Sequence, residues 1–155
     1  MSHRTALAGR IRASLRDVSK TVQRANQLTG KAHQTGDSDY WDGVALNLHH
    51  FYTGIEHILE DIGRTMDGSI PSGPEWHRDL LLQMSGDIDG VRPAILSLST
   101  RECLDEYRGF RHIVRNVYAF NLRSSRVEEL VQGLASCYES VSRDLISFAG
   151  FLENT

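Results

Sequence analysis

The chain has 155 residues with 17 Lys and Arg against 20 Asp and Glu, a formal net charge of -3 and a pI near 6.1, which excludes a protein that coats nucleic acid through bulk charge. The length suits one domain, residues 1–155, with a core of its own. No run of about 18 apolar residues exists to span a bilayer, and the N-terminus carries no apolar leader with a small-residue cleavage site, so a cytoplasmic protein is expected. Charge is unevenly placed: residues 1–36 hold seven cations and one acid, 37–106 four and fourteen, and 107–155 six and five. From Tyr107 to Arg126 there are five arginines and no carboxylate, a local field able to hold an anion on an acidic molecule.

Apolar residues recur in steps of three and four at Leu7, Ile11, Leu15, Val18, Val22, Ala25 and Leu28, which predicts a first helix over roughly 4–34. Gly36 and the following "DSD" break it. A second helix is expected from Ser38, with a buried stripe of Val44, Leu48, Phe51, Ile55, Leu59, Ile62 and Met66 and an opposite face that is acidic and solvated. His49, His50, Glu56, His57, Glu60 and Asp61 are read as part of that wet face.

Glycines and prolines interrupt "DGSIPSGPEWH", and Ser72 with Glu75 forms a capping box expected to open a short helix ending at Met84. "GDIDGVRP" is the longest irregular connection. Ser99 with Glu102 then predicts a fourth helix running to about Tyr118, and Ser125 with Glu128 opens a final one carrying Val127, Leu130, Leu134, Cys137, Val141, Leu145, Phe148 and Leu152. Four long helices and one short one, with no strand pattern, predict an all-α antiparallel bundle. Cys103 and Cys137 fall at apolar helical positions and are expected to be reduced core residues. Tyr52, Tyr107 and Tyr138 are read as core packing.

On the fourth helix, Cys103, Tyr107, Phe110, Ile113, Val114 and Val117 share the core side. Arg108, Arg111, Arg115 and Tyr118 fall within about 80° of one another on the other. Guanidinium is the side chain best suited to bidentate capture of phosphate, so Arg108, Arg111 and Arg115 are candidate phosphate ligands. A solvated basic face, or arginines paired with the acidic second helix, is the ordinary alternative.

Arg111-His112, then Asn116, then Tyr118 resembles the motif of the HEPN superfamily, and specifically of the HepT-like toxins of bacterial toxin–antitoxin pairs: Arg, a polar residue, three variable residues, His, one residue, Tyr. "FYTGIEHILEDI" and "PSGPEWHRDLLLQM" are similar to the second helix and following connection of that group, so the resemblance runs from about residue 40 onward. It implies a HEPN-like helical bundle, a homodimer whose late helices form one positively charged cleft, and a metal-independent ribonuclease without a cofactor. It also implies a nucleotidyltransferase antitoxin, which in some members attaches AMP to the motif tyrosine, here Tyr118.

This sequence departs from the motif in one place, since Asn116 stands where the catalytic histidine belongs. An amide can hydrogen-bond to phosphate but cannot shuttle a proton. His112, about 60° from Arg115 on the same arc, and His77 in "EWHRDLL" are the two candidates to carry it. The catalytic set is therefore Arg111, Asn116, Tyr118, His112 and His77, with no metal ligands. The alternative is a catalytically degenerate HEPN module that binds RNA or a protein partner without cutting.

Overall fold

In a computed structural model, the described residues are 2–116 and 124–154, the side chains of 111–116 excepted. Among them are six α-helices: α1 (His3–Thr35), α2 (Asp39–Ile62), α3 (Trp76–Met84), α4 (Leu98–Asn116), α5 (Ser124–Gln132) and α6 (Leu134–Glu153). The all-α expectation holds, with no strand among the described residues beyond an isolated bridge between Ile88 and Arg92.

The first helix forms where its apolar spacing places it. Ser2 accepts a hydrogen bond from the Thr5 amide at 3.1 Å, and Gly36 closes the other end with φ 71°, a conformation that suits glycine because it has no Cβ. The stripe from Leu7 to Ala32 is buried. The chain then reverses into α2, whose first amide is capped by Asp37 Oδ1 at 2.9 Å. The two helices approach closely at Gly54, where a Cβ would stand 2.9 Å from Val18 Cγ2. A π-helical turn, Gly63–Asp67, extends α2.

α1, α2, α4 and α6 form a closed ring of neighbours, each packed on the next. Arg10 reaches Asp61, and Arg12 reaches Glu153, so α2 and α6 both run against α1. α4 runs against α6, along a seam of side chains taken in opposite order on the two helices. Ser97 bonds Asp144, Thr100 bonds Ser140 and Cys103 is joined to Cys137; further along α4, Tyr107 donates to the Leu130 carbonyl of α5 at 2.7 Å. The result is the antiparallel bundle that the spacing predicts. Inside lie Phe51, Tyr52, Leu48, Ile55 and Leu104, each under 2% exposed, and burying such a side chain stabilises the fold by about 1.5–3 kcal/mol.

Six details differ from the sequence reading. The last helix is two, separated at Gly133, beside which Tyr107 takes up the Leu130 carbonyl. The cap of α4 is Ser97, whose Oγ accepts from the Thr100 amide at 3.3 Å, two residues before the expected Ser99; α3 starts after Glu75 with no side-chain cap, and Glu128 bonds His33 rather than closing a box. Cys103 and Cys137 are a disulfide, with Cα atoms 5.9 Å apart, within the range that a bridge spans; a separation of 34 residues conceals that adjacency. Glu56, read as solvated, is buried at 3% exposure.

The irregular connection after α3 is held by one cation. Arg92 donates to both oxygens of Asp67 at 2.7 and 2.8 Å, and to the carbonyls of Gly86, Pro93 and Gln83. Its side chain is 0% exposed. A buried guanidinium of this kind is tolerated only when its donors are matched by acceptors, and here the segment folds around it.

Candidate functional site

Contacts with α6 at Cys103 and with α5 at Tyr107 fix α4 up to the residue before Arg108. Burial holds the Tyr107 hydroxyl pKa far above its ordinary value, with Glu106 adding to the shift and Arg126 opposing it. Tyr107 therefore serves as a neutral donor to Leu130, and its ring meets Phe51 edge-on at 5.2 Å between centroids. α4 continues as regular helix through Asn116. Its backbone carries Arg108, Arg111 and Arg115 at spacings of three and four, which is one ridge of a helix. His112 and Asn116 lie in these last turns, and Tyr118 lies outside the described residues.

Arg108 is the first arginine of that ridge. Its Nε donates to Asp105 Oδ1 at 2.6 Å, and that hydrogen bond raises the guanidinium pKa, opposed by burial and supported by the charge of Asp105 and, more weakly, by Tyr52 and Glu75. The expected phosphate ligand thus has an acid of its own chain, one turn back. The pair is partly exposed, at 27% and 51%, and a surface pair of this kind holds its cation by no more than about 1 kcal/mol.

α3 packs against both α4 and α2. There the second sequence candidate, His77, is bound to α2: its Nδ1 lies 2.6 Å from Glu56 Oε2, with side-chain exposures of 16% and 4%. A carboxylate accepts, so Nδ1 carries the proton of this hydrogen bond. The Trp76 ring lies 3.7 Å from the His77 ring. An imidazole oriented by a buried carboxylate and shielded by an indole is fixed in tautomer and direction, as a proton carrier requires. Glu56 is the residue that sequence reasoning missed. The signal was present, because Tyr52, Ile55, Glu56 and Leu59 occupy one helical arc, yet an acid among acids was assigned to the wet face.

Glu56 and His77 thus meet where α3 packs on α2, and α3 also packs on α4, the helix that carries Arg108 and, in its last turns, the backbone of Arg111, His112, Arg115 and Asn116. Among the described residues no group of three or more His, Cys, Asp or Glu is placed to hold a metal ion.

The arrangement can be set against known proteins. The family model described as HepT-like protein matches residues 43–152, from the second turn of α2 to the end of α6. The chain belongs to the HepT-like family. In this HepT-like protein the matched segment contains the whole α2–α3–α4 junction and the arginine ridge, while α1 precedes it. The bundle is accordingly HEPN-like. No curated protein matches the chain, and no solved structure does. No helix among the described residues is long and apolar enough to cross a membrane.

Proposed function

We propose that this HepT-like protein is the toxin of a bacterial toxin–antitoxin pair and cuts RNA as a homodimer, without a metal. The observation that carries the reading is the family match over residues 43–152, a stretch in which Arg111, His112, Asn116 and Tyr118 keep the spacing of the motif in the sequence. Metal-free cleavage turns the ribose 2′-OH on the adjacent phosphorus. The P–O5′ bond breaks, the 2′ proton passes to a base and the departing 5′ oxygen receives a proton from an acid. Arg111 and Arg115 supply positive charge for the pentavalent phosphorus, while His77 or His112 moves the protons and Asn116 binds a phosphate oxygen.

The helix geometry supports a dimer. Residues 111 and 116 are about 140° apart on an ideal helix, so one unbroken helix cannot aim both at one phosphate, whereas a two-fold axis can bring Arg111 of one protomer towards Asn116 of its partner. A nucleotidyltransferase antitoxin that attaches AMP to Tyr118 would silence such a cleft by adding an anion to it.

Arg111→Ala, with helical content intact, should abolish RNA cleavage and toxicity on expression; full activity in that variant would remove the assignment. Asn116 favours a second reading, a module that binds RNA or the antitoxin without cutting. General acid–base help is worth about 10²–10⁴-fold, so Asn116→His should raise cleavage by that order if the motif's missing imidazole limits the rate. Cleavage by the natural chain that stays unchanged in Asn116→His would exclude the degenerate reading.

A further inference from the structure

A second cationic feature lies away from α4. Between α1 and α6 runs an open groove of about 500 Å³, lined on the α1 side by Arg12, Arg16, Lys20 and Gln23 and on the α6 side by Tyr138 and Ile146, and no carboxylate lines it. The three cations recur every fourth residue, so they stand at steps of about 6 Å along one ridge and span about 12 Å. Arg12 is bonded to Glu153, and Lys20 has Asp17 at 3.9 Å with both side chains 80% exposed, a contact of negligible strength. Arg16 is exposed and makes no ion pair among the described residues.

The opposite wall is uncharged. The Tyr138 hydroxyl donates to the Leu15 carbonyl at 3.1 Å, which fixes the ring across the groove, and Ile146 is 48% exposed beside it. A cationic edge at regular intervals facing an aromatic and aliphatic wall fits a strand with charged links on one side and flat apolar rings on the other. A single small anion needs converging donors, and these cations are spread in a line; a bilayer needs a flat or convex face, and this one is concave.

We propose that the α1–α6 groove binds single-stranded RNA, with successive phosphates on Arg16 and Lys20, assisted by Arg12, and bases or riboses against Tyr138 and Ile146. The choice of RNA as the polymer rests on the ribonuclease reading; the groove itself does not. It is a binding tract separate from the α4 ridge, one that would hold a long substrate while the scissile phosphate sits elsewhere.

The test measures anisotropy of a fluorescein-labelled 2′-O-methyl oligouridylate of about 12 nucleotides, which has no free 2′-OH and so is not cut. The natural chain is compared with Arg16→Glu/Lys20→Glu and with Arg24→Glu/Lys31→Glu, which reverses two exposed cations of α1 outside the groove. The groove variant should bind at least about tenfold more weakly, and its log-affinity against log-salt slope should shrink by about 1.4, the loss of two phosphate contacts, while the control stays near the natural chain. If circular dichroism shows that charge reversal perturbs the fold, Arg16→Gln/Lys20→Gln gives the same comparison. Unchanged affinity and slope, alongside cleavage that still depends on Arg111, would overturn the groove and leave the ribonuclease reading standing. An equal loss in the control would overturn it in favour of diffuse charge. Failure of the natural chain to bind or cut any RNA would overturn both proposals, and loss of antitoxin binding with RNA binding intact would assign the groove to the protein partner.

Discussion

Glu56 sits in the core because His77 is there to meet it. The two side chains come from α2 and α3 and share a 2.6 Å hydrogen bond at 4% and 16% exposure, and removing the charge from such a pair costs about 1–3 kcal/mol. Glu56→Gln keeps the shape and loses the carboxylate, so urea unfolding should show a loss of that size, and an unshifted midpoint would mean that the pair contributes nothing. The same variant should lower RNA cleavage if His77 moves the proton, because a neutral amide orients the ring less strongly than a carboxylate. Asp61 gives a pH signature of a different kind. The hydrogen bond from Arg10 holds its carboxyl below the ordinary value of 3.8, against the effect of burial. A depressed carboxylate pKa contributes stability above the unfolded value, and that contribution disappears as pH falls through the folded one. With Asp61 34% and Arg10 49% exposed, the gain is under about 1 kcal/mol. The difference in stability between the natural chain and Asp61→Asn should therefore be present near neutral pH and vanish in strong acid; a difference that persists there would refute the coupling.

Among the elements, the segment between α3 and α4 depends most on a single side chain. Arg92 uses its guanidinium donors on Asp67 and three carbonyls, so Arg92→Ala would strand a buried acid, and denaturant unfolding should record a loss of about 3–5 kcal/mol. Arg92→Lys should recover little, since an ammonium cannot span a bidentate carboxylate and those carbonyls together. Nothing in "GDIDGVRP" announces this, because the partner, Asp67, is 25 residues earlier. The helices were legible for the opposite reason: their signal is local, a three-to-four-residue recurrence that any long amphipathic helix shows, and α1 agrees with its expected range to within a residue. Helix starts were less legible, since Ser97 and Ser99 are equivalent by residue type and only the position of Asp144 and Ser140 on α6 favours Ser97. At the candidate site the same division appears. The spacing of Arg108, Arg111 and Arg115 is written in the chain, whereas the Asp105 partner of Arg108 and the Glu56 partner of His77 depend on which charged residue meets which after packing.

For the molecule as a whole, a side-chain seam holds the first half of α4 to α6, and the arginine-bearing end of the helix follows it. A homodimer that pairs the late helices would cover this end, and sedimentation velocity should find a species of twice 17.4 kDa; a monomer at all concentrations would contradict the shared-cleft geometry. The bridge between Cys103 and Cys137 has a topological effect on the same region. It closes the intervening chain, which contains Arg108, Arg111 and Arg115, into a covalent hoop. A protease that cuts once inside that hoop would leave a molecule still in one piece by non-reducing electrophoresis, falling into two fragments only after a thiol is added.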